Sequence, residues 1–159
     1  MTLADQDRYA PNSICFGCGP ANADGLQIKS HWEGEPGPDG VFVMTFDPVA
    51  AHQAFPGVIN GGILGALLDC HSNWCAATAI MADEGLDAPD CTVTADFHVK
   101  LKRPTPFPGT LTVKAWAKEV GGRRARIYAE VEAGGKVTAT CDGTFVAVNE
   151  GHPAWHRWG

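Results

Sequence analysis

The chain has 159 residues, 45% of them hydrophobic and 19% charged, with a formal net charge of -6. Those values describe one ordinary folded domain over residues 1–159, large enough to bury a core without staples, and exclude a disordered chain. The acidic balance excludes a general nucleic-acid footprint, although local basic clusters can still hold an anionic small molecule.

The opening MTLADQDRYAPNS carries neither the basic nor the apolar region of a signal peptide, so a cytoplasmic location is expected. Free thiols are then expected at Cys15, Cys18, Cys70, Cys75, Cys91 and Cys141, rather than a disulfide framework. Residues 1–25 are rich in Pro, Asn, Gly and Asp and read as an N-terminal loop segment. A weak strand is predicted from Leu26 to Trp32, then a turn cluster from Glu33 to Gly40. Val41 to Phe46 alternates, with Phe42, Met44 and Phe46 on one side. Asp47 to Gly57, with two prolines, reads as an irregular loop.

Val58 to Ala82 is the most apolar run of the chain, and Asp69 is its only charged residue. The sequence Asp69-Cys70-His71-Ser72-Asn73 at its centre argues against a membrane span, because such groups are expensive in lipid. We therefore expect a buried helix that starts near Asn60 or Gly61, where Asn makes a good N-cap, and ends by Gly85.

Four strands are predicted after it. From Thr92 to Lys102, Val93, Ala95, Phe97, Val99 and Leu101 share one face, and Thr94, Asp96, His98, Lys100 and Lys102 the other. Thr110 to Lys118 repeats the alternation, Gly121-Gly122 is expected to turn the chain, and Arg124 to Glu132 alternates again. Gly134-Gly135 marks a second turn before Val137 to Val148, broadly apolar and so placed centrally. Residues 149–159 form a C-terminal tail. One long apolar helix and a run of antiparallel strands give an α+β architecture, with a curled sheet wrapped around the central helix.

A carboxylate inside such a helix costs several kcal/mol if it stays charged and unpaired, so Asp69 is satisfied, neutralised or used. One reading is structural, with Asp69 bonded to a backbone group at a subunit interface. The other is chemical. Gly61-Gly62 stands at the helix start, where N–H groups lack partners and the dipole favours negative charge. Glycines there let a substrate carbonyl approach closely. An oxyanion held at that end, with a carboxylate two turns away, makes an acyl-transfer site in which Asp69 is general base or nucleophile. Asn73, four residues after Asp69, shares its face and is placed to bond the carboxylate or a substrate, or to be a solvated or interface amide.

HQAFPGVINGGILGALLD, His52 to Asp69, together with the strand–strand–helix–four-strand order, resembles the hotdog-fold acyl-CoA thioesterases, nearest the PaaI-like group. That family carries a loop His or Asn, then Pro-Gly, two apolar residues, His-Gly-Gly, and an acidic residue nine positions past the His. Pro56-Gly57, Gly61-Gly62 and Asp69 match, and the nine-residue spacing from position 60 to Asp69 is kept. The resemblance covers roughly residues 40–148. It implies Asp69 as the catalytic carboxylate and the Gly62 N–H as the group that polarises the thioester carbonyl. It also implies His52 as an orienting loop residue and Thr94 as a hydroxyl assisting from the facing subunit. Lys102-Arg103-Pro104 falls where coenzyme A phosphates are often touched. Asn60 departs from the family's His. It can position groups and cap the helix, but it cannot shuttle a proton near neutral pH.

Cys15-Phe-Gly-Cys18 supplies two thiols where zinc sites want four ligands, and the only spaced histidines, His152 and His156, lie at the far end of the chain. The cysteine loop, with Asn22, Gly25 and Leu26, is expected to pack near the acyl pocket, and the other four cysteines to be small core residues. Cys70 and His71 are adjacent on a helix and diverge by about 100°, so no Cys-His pair forms. Lys100, Lys102, Arg103, Arg123, Arg124 and Arg126 are either a solvated sheet face or, for some of them, a phosphate clamp, with Arg103 favoured. Trp74, Trp116 and Phe55 either line an acyl tunnel or pack in the core or an interface. Trp155 and Trp158 are docking anchors or disordered.

The expected protein is therefore a hotdog-fold homo-oligomer, dimer or tetramer, that hydrolyses acyl-CoA thioesters and needs no metal or redox cofactor, no nucleic acid and no membrane. Its rival is a non-catalytic acyl-CoA or fatty-acyl binding module in which Asp69 is structural.

Overall fold

A computed structural model describes residues 2–159. Its elements are α1 (Asp5–Tyr9), β1 (His31–Glu33), β2 (Val41–Phe46), β3 (Gln53–Phe55), β4 (Val58–Ile59), α2 (Gly61–Glu84), β5 (Thr92–Leu101), β6 (Leu111–Gly121), β7 (Arg124–Ala133) and β8 (Lys136–Ala147). Six strands make one antiparallel sheet in the order β1-β2-β6-β7-β8-β5, and β3 and β4 form a separate small hairpin. Helix α2 packs against β5, β6, β7 and β8. This is the expected α+β hotdog architecture.

The β6-β7-β8 meander follows directly from residue order. Leu111, Val113, Ala115 and Ala117 on β6 and Ala125, Ile127, Ala129 and Val131 on β7 are all buried, alternating with outward residues. The first hairpin turns on Gly122-Arg123, one residue later than expected, and both residues have φ of 61°. Two positive φ values suit a primed turn, whose twist matches that of the strands. Arg123 is held in that conformation by its own guanidinium, which reaches Asp90 at 2.9 Å, Glu84 at 3.3 Å and the Val148 carbonyl at 2.9 Å. Gly134-Gly135, with φ of 58° and 79°, makes the second turn as expected.

On β5 the unbroken alternation fails. The register slips between Thr94 and Asp96, and Phe97 and Leu101 are 43% and 58% exposed. The cause is position: β5 pairs with β8 on one side only and forms the sheet edge, so much of its apolar face meets no core.

Helix α2 begins and ends where its caps predict. The Asn60 side chain accepts from the Ile63 N–H at 3.1 Å, and Gly85, with φ of 66°, closes the other end in the left-handed region. Leu67 and Leu68 have no exposed surface, and each such burial stabilises the fold by roughly 2 kcal/mol. Among the described residues no helix is long and apolar enough to cross a membrane.

Both ends of the chain are more ordered than the sequence suggested. The segment read as loop contains α1, whose Gln6 is fully buried. The strand expected from Leu26 shrinks to β1, because Leu26 and Ile28 are buried without joining a ladder. In the tail, Trp158 is buried and stacks on Trp74 with ring centroids 4.2 Å apart. Trp158 is thus a docking anchor, and Trp74 is core rather than tunnel wall. Phe55, 61% exposed, lies on the β3-β4 hairpin.

Candidate active site

Asp69, Cys70 and His71 leave α2 in three directions, as successive helical residues must. His71 points into the core with no exposed surface. Its Nε2 lies 2.9 Å from the Phe42 carbonyl and therefore carries the proton, which leaves Nδ1 to accept from the Ser30 hydroxyl at 2.8 Å. Gln6 closes the network, donating to Ser30 Oγ at 3.0 Å and accepting from the Ser30 N–H at 2.8 Å. Burial pushes the imidazole down to about 4, so this histidine stays neutral. It is a satisfied structural group.

Asp69 faces the other way, toward β5. Its Oδ1 accepts the Thr94 hydroxyl at 2.6 Å. Thr94 therefore serves the carboxylate of its own chain, whereas the sequence reading brought it from a facing subunit. Burial raises the Asp69 pKa above the usual range, opposed by the Thr94 hydrogen bond; charge on Cys15 raises it further and Arg157 lowers it. The carboxylate lines a cavity of about 140 Å³ with Cys15, Cys18, Cys70, Asn73, Val93, Thr94 and Arg157.

Asn73 is placed beside Asp69 as expected, but its amide donates to the Thr92 carbonyl at 2.9 Å, not to the carboxylate. Its Oδ1 is buried and has no partner among the described residues. Arg157, which no local pattern marked, donates to the Thr92 carbonyl at 2.7 Å and to Cys91 Sγ at 2.8 Å. Its residue number in an apparently featureless tail hid it, and only the docking of Trp158 brings it to the cavity.

Cys70 is not a core residue. It is half-buried, with Sγ 3.8 Å from Cys15 Sγ, and Cys18 joins them so that all three sulfurs lie within 4.8 Å of one another. The Cys18 and Cys70 thiols and the backbone N–H groups of Cys18 and Gly17 hold the Cys15 thiol far below its ordinary range, while the contact with Cys15 pushes Cys18 up to about 11. The cysteine loop, expected near an acyl pocket, thus packs beside Asp69. All six cysteines are free thiols.

The helix start forms a second cavity of about 440 Å³, lined by Gly61, Leu64, Phe55, Leu101, Lys102 and Arg103 among others. Asn60 takes the Ile63 N–H, and neither the Gly61 nor the Gly62 N–H has a partner among the described residues. A side chain at Gly62 would stand 2.9 Å from Asn60 Oδ1, and one at Gly61 would stand 3.0 Å from Leu101. Glycine keeps both donors open. His52 holds the loop before the helix: its Nδ1 accepts from the Val49 N–H at 3.0 Å and its carbonyl from the Asn60 N–H at 2.9 Å. Of the basic residues, Arg123 and Arg126 are committed to acidic partners. Lys102 and Arg103 make no ion pair among the described residues.

Within one chain the two cavities are separate. Asp69 follows Gly62 by seven helical residues, a rise of roughly 10 Å, and the two share no cavity lining.

Comparison with known proteins gives this geometry its setting. No curated protein matches the chain. A thioesterase superfamily protein from Shewanella loihica is similar at 25% identity, over 82% of this chain and 98% of that one, with a TM-score of 0.65. The PaaI protein of the Escherichia coli phenylacetic acid degradation operon shares the fold at 19% identity, covering 81% of this chain and 85% of its own, with a TM-score of 0.65. A hypothetical thioesterase from Streptococcus pneumoniae, solved with coenzyme A, does so at 17% identity, over 76% and 87%, with a TM-score of 0.61. The family profile described as thioesterase superfamily matches residues 56–140, which take in the helix start, Asp69, Thr94 and the Lys102-Arg103 pair. On that match, over more than half of its length, the chain belongs to the thioesterase superfamily.

Proposed function

We propose that this chain hydrolyses acyl-CoA thioesters to a free acid and coenzyme A. The observation that carries the reading is the Asp69 carboxylate, set in the most apolar helix of a thioesterase-superfamily chain and facing a cavity with one protein hydrogen bond. Thr94 occupies Oδ1 and fixes the carboxylate plane, which leaves Oδ2 for a water. Asp69 takes a proton from that water as it adds to the thioester carbonyl, and the C–S bond then breaks. The proton passes to the departing coenzyme A thiolate. Direct attack by Asp69, through an anhydride that water opens, uses the same carboxylate.

The oxyanion needs donors aimed at the thioester carbonyl, and in Asp69's own cavity the Arg157 guanidinium and the Asn73 amide are turned to the Thr92 carbonyl and Cys91 Sγ. The open Gly62 N–H supplies one at a helix N-terminus. Because Gly62 does not line the cavity that Asp69 of the same chain faces, a second copy brings its helix start to the first copy's carboxylate, and the site is shared. The free β5 edge with its exposed Phe97 and Leu101 supports such pairing, since an unpaired edge strand is a template for another chain. Lys102 and Arg103, unpaired beside the helix start, take the phosphates of coenzyme A, and Asn60 and His52 hold that loop in shape. The streptococcal relative solved with coenzyme A supports this assignment of ligand.

Thiol release from a panel of acyl-CoAs, with wild type and Asp69→Asn side by side, tests the reading. Saturable turnover that the near-isosteric variant loses, at unchanged oligomeric state, supports it. Binding without turnover in the wild type moves the non-catalytic acyl-CoA module ahead. Single turnover in ¹⁸O-water identifies a nucleophile by label in Asp69, which only an anhydride opened at the Asp69 carbonyl puts there; water activated by a general base labels the product acid alone.

A further inference from the structure

The three-cysteine cluster has no part in that hydrolysis, yet its surroundings are built to hold it. We propose that Cys15, Cys18 and Cys70 bind a zinc ion as three thiolates, with a water from the Asp69 cavity in the fourth position.

The spacing fits. Zinc binds thiolate at about 2.3 Å, and a tetrahedron of that size sets its sulfurs about 3.8 Å apart. Cys15 and Cys70 stand at 3.8 Å, and Cys18 is within 4.8 Å of both, so a small closure of one side chain completes the triangle. Two ligands come from one tight turn, where the Gly19 N–H donates to the Cys15 carbonyl at 2.8 Å, and the third comes from α2. A Cβ on Gly17 would lie 2.3 Å from Cys70 Sγ, and one on Gly19 would lie 2.3 Å from the Cys15 nitrogen. Only glycine at both positions lets the loop reach the helix sulfur.

Supporting groups are in place as well. Trp74 Nε1 donates to Cys18 Sγ at 3.3 Å, the kind of outer hydrogen bond that orients a ligand. Asn73, 7% exposed, lines the same cavity, and its Oδ1 is a buried acceptor without a partner. A zinc-bound water donating to that oxygen satisfies it. Arg157 also lines the cavity, and its charge offsets the net negative charge that three thiolates leave on the site. Three soft sulfurs select zinc over magnesium or calcium. The ion would fasten the N-terminal loop to α2 and close one wall of the cavity beside Asp69. Its binding releases the thiol protons that remain in the free cluster.

The test is a metal titration of the full chain, stripped with chelator and kept fully reduced. Co²⁺ is expected to bind one equivalent per chain, with visible bands of a tetrahedral site and near-ultraviolet sulfur-to-metal bands of three thiolates, and Zn²⁺ to displace it. Cys18→Ser and Cys70→Ser should each weaken zinc binding by more than the roughly 100-fold that loss of an outer-shell partner costs. Cys75→Ala, a cysteine of α2 outside the cluster, should leave the titration unchanged. If either serine variant fails to fold, the wild-type titration alone decides. A reduced wild type that takes up neither metal overturns the proposal, whether or not two of the thiols prove able to form a disulfide. So does a cobalt spectrum that Cys70→Ser leaves intact. Neither result bears on the hydrolysis assay, which reads Asp69.

Discussion

Asp69 and His71 sit two residues apart on the same apolar helix, and both put a polar group where the sequence is otherwise hydrocarbon. Their surroundings differ in completeness. Both ring nitrogens of His71 are bonded, and the groups it bonds, Ser30 and Gln6, are bonded in turn. Asp69 has one partner and an open cavity, and neighbouring Asn73 keeps a bare oxygen. A buried polar group with every bond made adds to the framework, whereas one left short is available to a substrate. Asp69 is half-buried where His71 has no exposed surface, and the inventory of partners separates the two further.

The largest effect should come from Asp69→Asn, which keeps the shape and removes the base. Turnover should fall by roughly 10²–10⁴-fold, the usual worth of a positioned proton acceptor, while the urea midpoint hardly moves. A variant that stays active would place Asp69 with His71 as framework. His71→Ala should do the reverse. It opens a cavity and strands Ser30 and the Phe42 carbonyl, at a cost of about 3 kcal/mol in urea unfolding, with turnover per folded molecule preserved. Thr94→Val removes the one protein bond to the carboxylate. It should lower kcat by roughly 10-fold, in line with a charge-assisted hydrogen bond, and leave KM nearly unchanged.

Asp5 sharpens the comparison from the framework side. Its Oδ2 is buried without a partner among the described residues, although no cavity chemistry surrounds it. Burial raises its pKa to about 6, against smaller opposing effects of Arg8 and His31. The folded state thus holds this proton more tightly than the unfolded chain. Stability should decline as pH rises from about 4 through 6 and stay lower above that. After allowance for solvent screening the effect is about 1 kcal/mol. Asp5→Asn should remove that slope and raise the urea midpoint at pH 8. A missing partner is thus a mark of function only where a cavity accompanies it.

Much of this was readable before any coordinates. The helix caps at Asn60 and Gly85, the meander strands and the Gly134-Gly135 turn are local signals, each set by residues a few positions apart. The motif over residues 52–69 brought Asp69 and Gly62 forward for the same reason, and the wider family resemblance brought forward the Lys102-Arg103 pair. What escaped depends on distant partners. Cys70 reads as one more small residue on an apolar helix until a loop 55 positions away lies against it. Arg157 gains meaning only when the tail docks beside Thr92. The alternation of β5 was real in the sequence but misleading in space, because an edge strand has a neighbour on one side only.

The strand order also sets a sequence of events in folding. The β6-β7-β8 meander closes through two two-residue turns, so its contacts form at little cost in loop entropy. By contrast, β2 must find β6 across the whole of α2, and β5 must find β8 across two intervening strands. The meander is therefore expected to form first, with α2 and the outer strands condensing on it. Kinetically, Ile127→Val should slow refolding in proportion to the stability it removes, while Val43→Ala should mainly speed unfolding; equal behaviour of the two would rule that order out.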